Sequence, residues 1–148
     1  MLVRAGERLD LFKRNVIHFI FSESMERRAE RIYEFGGTLT LKIVDPHDLI
    51  LMKCATEREK DRDDIRSIIE SSKIEWDLII DEMRNQLRLG ARKIDVFGFL
   101  DTLDHLKRQM KVKIPGDLHK RCWSLLKTAE SSKKTNSQPK SKLKKKNK

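Results

Sequence analysis

"TLTLKIVDPHDLILMKCATEREKDRDDIRSII", residues 38–69, changes its period twice, and those changes decide the fold class. From Thr38 to Val44 the residues alternate. Leu39, Leu41 and Ile43 point one way while Thr38, Thr40 and Lys42 point the other, as a half-buried strand requires. Asp45 then has the chemistry of an N-cap, Pro46 fits the first helical position, and Asp48 complements the dipole in the first turn. The spacing predicts a helix over 45–58 and another from about Asp61, with Ile65, Ile68 and Ile69 turned inward. Lys53, Arg58, Lys60, Asp61, Asp63 and Asp64 crowd the junction between them. Asp61 with Asp64 three residues on has the spacing of a cap and its partner, so the cluster has a plain reading as a helix boundary.

Upstream, "RLDLF" (8–12) alternates, with Leu9 and Leu11 on one face and Asp10 on the other. "NVIHFIF" (15–21) is rich in β-branched and aromatic residues and also reads as strand. Residues 22–37 read as a short helix striped by Met25, Ala29, Ile32 and Tyr33 and stopped by Gly36 and Gly37. Downstream, three more helices are expected over 74–90, about 92–111 and 114–130. Their stripes run through Trp76, Ile79, Ile80, Met83 and Leu87, then Phe99, Leu103 and Leu106, then Leu118, Cys122 and Leu125. The class is therefore α/β: a small mixed sheet with helices over 1–90, carboxy-terminal helices over 91–130 packed on it, and a tail. So thin a sheet leaves an edge that something must cover.

The chain has 148 residues, enough for one domain with a core, and its formal net charge is +10. That charge is not spread evenly. Residues 131–148 hold Lys133, Lys134, Lys140, Lys142, Lys144, Lys145, Lys146 and Lys148 with no acid, which leaves about +2 for 1–130. Without a periodic apolar pattern this tail reads as disordered, either an arm drawn to nucleic-acid phosphates or a solubilising terminus. Cys54 and Cys122 sit in apolar helical patterns without metal-site spacing and read as buried thiols. Trp76 and Trp123 sit on apolar stripes and read as core or interface anchors rather than base-stacking platforms. No apolar run approaches the roughly 20 residues of a membrane span, and no signal peptide is apparent, so a cytoplasmic protein without membrane contact is expected.

On "RLDLF", "FSESMERRAERI" and above all "DPHDLILMKCATEREKDRDD", the sequence resembles bacterial and archaeal nucleotidyltransferase-like proteins. These include the minimal nucleotidyltransferases and the AbiEii-type toxins of toxin–antitoxin systems. The resemblance covers about residues 7–90 and implies part of a polymerase-β-like unit. In that family a Gly-Ser turn binds the triphosphate, and an Asp-x-Asp with a third strand-borne acid holds two Mg²⁺ ions. By resemblance, Asp10 matches the third acid, catalytic and metal-binding, while Lys53, Lys60, Asp61 and Asp64 match positions near the nucleotide.

The chain departs from that pattern in two respects. It has no Gly-Ser dipeptide, and its one Asp-x-Asp, Asp61-Arg62-Asp63, lies at a helix start where the two carboxylates diverge by about 200°. The expectation is a carboxy-terminal portion, inactive alone, whose complete form moves a nucleotidyl group from an NTP to an RNA or protein hydroxyl. An antitoxin or a second chain completing the sheet is the partner this implies. The alternative is a non-catalytic interaction module with a nucleic-acid-binding tail.

Overall fold

The computed structural model describes residues 2–4, 7–9, 15–56 and 58–135. Within them, β1 (Leu2–Arg4) and β2 (Glu7–Leu9) pair antiparallel, as do β3 (Asn15–Val16) and β4 (Phe19–Ile20). Helix α1 (Glu23–Arg28) leads into β5 (Glu30–Phe35) and β6 (Leu39–Ile43), a third antiparallel hairpin. Five helices follow: α2 (Pro46–Lys53), α3 (Glu59–Ser71), α4 (Trp76–Leu89), α5 (Lys93–Gln109) and α6 (Leu118–Thr135). The class is mixed α/β, as the sequence predicts. The strands of the described residues do not join into one mixed sheet, however, but stay as three separate two-stranded ladders.

The largest local departure falls at residues 29–37. The Gly-Gly pair does not stop a helix. Gly36 and Gly37 have φ of 54° and 71°, and the amide of Thr38 donates to the carbonyl of Phe35 at 3.1 Å. Two consecutive positive φ values make the turn whose twist suits a hairpin, and glycine takes them without steric cost. With that turn in place, Tyr33 faces Leu41 and Phe35 faces Leu39. The two aromatic residues thus find apolar cross-strand partners that a helix would deny them. Helix α1 is left with six residues, capped by Ser22, whose hydroxyl accepts from the amide of Met25 at 3.2 Å. Residues 15–21 likewise fold as a tight hairpin rather than a continuous strand, with Ile17 at φ 59° in its turn.

The starts of α2 to α5 follow the sequence closely, while α2 ends at Lys53, five residues short of the expected 58. Asp45 caps α2, accepting from the amide of His47 at 2.9 Å, and Pro46 opens the helix. Gly90 ends α4 in the left-handed region. Helix α3 begins two residues earlier than predicted: Arg58 occupies the cap position without a side-chain capping bond, and Asp61 stands in the first turn rather than at the cap. Helix α6 runs to Thr135, five residues into the stretch read as tail, and 136–148 lie outside the described residues.

The core lies among the helices. Ile50, Leu51, Ile65, Met83, Phe99 and Leu106 are fully buried, joined by Phe19 and Met25 from the hairpin half. Both cysteines are free and buried, as expected from their apolar surroundings. Trp76 packs partly buried against this core, whereas Trp123 is 48% exposed. No helix of the described residues is long and apolar enough to cross a membrane.

Candidate functional site

Helix α2 ends and α3 begins within a few residues, so the side chains of the turn between them fall close together. Asp61 and Asp64 are three apart on α3 and share a face. Lys53, in the last turn of α2, reaches both: its Nζ is 2.8 Å from Asp61 Oδ1 and 2.6 Å from Asp64 Oδ2. The other Asp61 oxygen accepts from Thr56 Oγ1 at 2.6 Å and from Arg58 Nε at 2.7 Å. Burial alone would raise the Asp61 carboxyl, but the bonds from Lys53, Thr56 and Arg58 outweigh it and hold the group down at about 2. Burial likewise works against the Lys53 charge, and the two carboxylates overcome it and raise its pKa. The lysine is therefore a fixed cation. It has three N–H donors, two of them committed to the acids, which leaves one for a phosphate oxygen or water.

Of the residues singled out in the sequence, Lys53, Asp61 and Asp64 are thus brought together. Lys60 is not, since it sits exposed on the first turn of α3. Asp63 is also exposed, as its angular offset from Asp61 requires. Asp10 lies outside the described residues, as do the tail lysines from Lys140 onward, and nothing is described of the Lys133 and Lys134 side chains within α6. Thr56 joins the cluster without having been marked, and Arg58, marked only as one of the charges at the junction, joins it too. Their signal was placement in the inter-helix turn, within reach of the next helix's first carboxylate.

A second charged cluster escaped sequence reading altogether. Arg28 at the end of α1 grips Asp48 of α2 with two bonds, Nε to Oδ2 at 3.0 Å and Nη2 to Oδ1 at 2.6 Å. The same Nη2 lies 2.6 Å from Glu82 Oε2 on α4. Glu82 also accepts from the hydroxyls of Ser22 at 2.8 Å and Ser24 at 2.6 Å, and from Gln86 Nε2 at 3.0 Å. Burial would lift its pKa, but these donors, Ser24 and Arg28 foremost, hold it at about 2. Gln86 meanwhile bonds both the amide and the carbonyl of Ile20. The cluster ties α1, α2 and β4 to α4. Its trace in the sequence was polar Glu82 and Gln86 interrupting the apolar side of α4.

A cleft of about 460 Å³ opens beside the first cluster, bordered by His18, Thr56, Arg62, Arg92, Asp95 and Thr102. Arg62 Nε is buried there without a hydrogen-bond partner among the described residues. Arg92 and Asp95 neutralise each other, with Nη2 2.9 Å from Oδ1.

This junction lies inside a match, over residues 5–95, to the family model described as "Nucleotidyltransferase of unknown function (DUF6036)". The chain belongs to that family. No curated protein and no solved structure matches it. The nucleotidyltransferase family match spans β2 to β6, α1 to α4 and the start of α5, so the Lys53 cluster, the Glu82 cluster and Asp10 all fall within it. Helix α6 lies beyond it.

The cofactor expected from nucleotidyl transfer is Mg²⁺, and the described residues do not offer it a cage. No three His, Cys, Asp or Glu side chains among them are grouped to hold a metal ion. Asp61 and Asp64 accept from Lys53, and Asp61 from Thr56 and Arg58 as well.

Proposed function

We propose that this chain is part of a nucleotidyl-transfer unit in which Lys53 contacts a nucleotide phosphate. The observation that carries the reading is Lys53, bridging Asp61 and Asp64 within the family match and holding one N–H in reserve. In the reaction a hydroxyl oxygen of RNA or protein attacks the α-phosphorus of an NTP, and pyrophosphate leaves. Lys53 would offset phosphate charge, while Asp61 and Asp64 keep its ammonium ionised and aimed. Lys60, exposed nearby, would meet the nucleotide from solvent. Mg²⁺ belongs with Asp10 and with a strand-borne Asp-x-Asp that a complete form would add, together with a Gly-Ser turn. No role is given to Asp61 or Asp64 as its ligands.

The β5–β6 hairpin supports the need for added strands or a second, antitoxin-like chain. Tyr33, Phe35, Leu39, Leu41 and Ile43 all lie more than half exposed on it. Transfer of label from α-labelled NTPs to RNA or protein, with Mg²⁺ present, tests the reading on the protein purified from its own cells. Its intact mass, compared with these 148 residues, says first whether further strands are attached. Lys53→Met should abolish transfer and Lys53→Arg restore part of it, with both variants folded. A complete form that transfers equally well with Lys53→Met would overturn the assignment and leave the cluster as a lock between α2 and α3. A non-catalytic module would then be the better description.

A further inference from the structure

Arg62 follows Asp61 on α3, about 100° further round the helix, and borders the cleft of about 460 Å³ between the α2–α3 turn and α5. Its Nε is buried without a hydrogen-bond partner, and the side chain makes no ion pair among the described residues. A guanidinium spreads its charge over three nitrogens. Shielding one of them from water with no acid alongside carries a cost that an anion at the outer nitrogens would offset.

The other charges of the cleft are arranged differently. Arg92 is taken by Asp95, with Nη2 2.9 Å from Oδ1, and by His18, whose Nδ1 is 3.3 Å from the same nitrogen. Asp101 is exposed on the α5 wall and, like Arg62, has no ion-pair partner among the described residues. One unmatched cation and one unmatched anion thus line a common space without meeting each other. Helix α5 keeps that space open. Ile94, Gly98, Asp101 and Thr102 follow one stripe of the helix along the cleft. Gly98 stands mid-helix, where glycine is less favourable than alanine, although a Cβ there would meet only the carbonyl of Cys54 at 3.9 Å, an ordinary contact. Packing does not demand glycine, and the absent side chain leaves room in the cleft. The volume falls within the roughly 300–1,000 Å³ of small-molecule sites. A plain anion there would satisfy Arg62 and leave Asp101 unmatched, and a plain cation the reverse. A molecule with an oxyanion at one end and an ammonium at the other matches both.

We propose that this cleft binds a small zwitterion, its oxyanion on Arg62 and its ammonium on Asp101. An amino acid or an aminoalkyl phosphate would each supply that chemistry. The site shares Thr56 with the Lys53 cluster but none of its charges, and binding is measured without NTP, so it stands or falls separately from nucleotidyl transfer. The test titrates the isotope-labelled full chain with ω-amino acids from glycine to aminohexanoate, and with aminopropyl phosphate, following amide shifts by NMR. Because the walls are fixed by packed helices, one chain length should bind best. It should exceed the carboxylate or the amine of the same length by about tenfold or more. The shifts should fall on the α2–α3 turn and on α5 around Gly98. Tighter binding of aminopropyl phosphate would identify the oxyanion as phosphate, and weaker binding as carboxylate. Arg62→Gln should lose about tenfold in affinity, and Asp101→Asn should erase the preference over the plain carboxylate. Gly98→Leu should fill the cleft and abolish binding, whereas Lys53→Met should bind as the parent chain does. Should Arg62→Gln unfold, the comparison of analogues in the parent chain and in Asp101→Asn reads the same contacts. No binding by any member, equal binding of the plain carboxylate, or undiminished affinity in folded Arg62→Gln or Gly98→Leu would each overturn the proposal.

Discussion

The β6 strand and the α4 helix are both cleanly patterned, yet they meet opposite fates. Every residue of β6 is exposed, including Leu39, Leu41 and Ile43, whereas α4 buries Ile79, Ile80, Met83 and even the polar Glu82 and Gln86. Pattern says which side of an element could be buried. Whether anything lies there to bury it depends on the number of layers around it. Helix α4 has α2 and α6 against it, while the β5–β6 hairpin finds its main contacts within itself. Its Tyr33 and Phe35 stack on each other, ring centroids 5.3 Å apart, in place of a core.

That contrast breaks most directly by truncation in the two halves. Phe99→Ala removes a fully buried ring and should cost about 3–5 kcal/mol in urea unfolding. Arg28→Met should come next, at about 3 kcal/mol, because Asp48 and Glu82 would be left facing each other at nearly complete burial. If Arg28→Met proved neutral, the charged cluster would have no part in holding the hairpin half to the helices.

Acid should sharpen the same comparison. Glu82 and Asp61 are each held at about 2, below their ordinary values near 4, so their contributions are complete above those ordinary values and fade as pH falls toward 2. Asp48 acts in the opposite sense, being raised by burial despite Arg28. Stability measured from pH 6 downward should fall by about 2–3 kcal/mol for each of the two depressed groups, with Glu82→Gln removing its share. Flat stability across that range would show the two networks to be idle. The smallest effect is expected on the hairpin, where Leu41→Ser should shift stability by less than about 0.5 kcal/mol. A loss of several kcal/mol there would mean that the face is covered in solution.

The residues that were legible in advance are those whose signals are local. Asp45 and Pro46 start α2, Gly90 stops α4, and the stripe from Ile79 to Leu87 predicts its buried side, all through contacts within a turn or two of chain. Gly36 and Gly37 misled because the same pair can end a helix or turn a hairpin. The choice fell to pairing between Tyr33 and Leu41, which no local window contains. In the candidate site, Lys53, Asp61 and Asp64 were visible as a crowd of charges at a helix junction. Thr56 was hidden because a neutral hydroxyl carries no charge signal, although its bond to Asp61 spans only five residues.

The sequence by itself determined the mixed class, the starts of α2 to α5 to within two residues, the buried thiols, and the concentration of positive charge after residue 130. These depend on composition and on interactions of short range. Tertiary structure alone decided that Arg28, Asp48 and Glu82 meet across three helices, that Trp123 faces outward beside Phe97, and that the best strand pattern in the chain stays uncovered. Each of these depends on which elements pack together. Packing is settled by the whole chain's competition for buried surface rather than by any stretch of it.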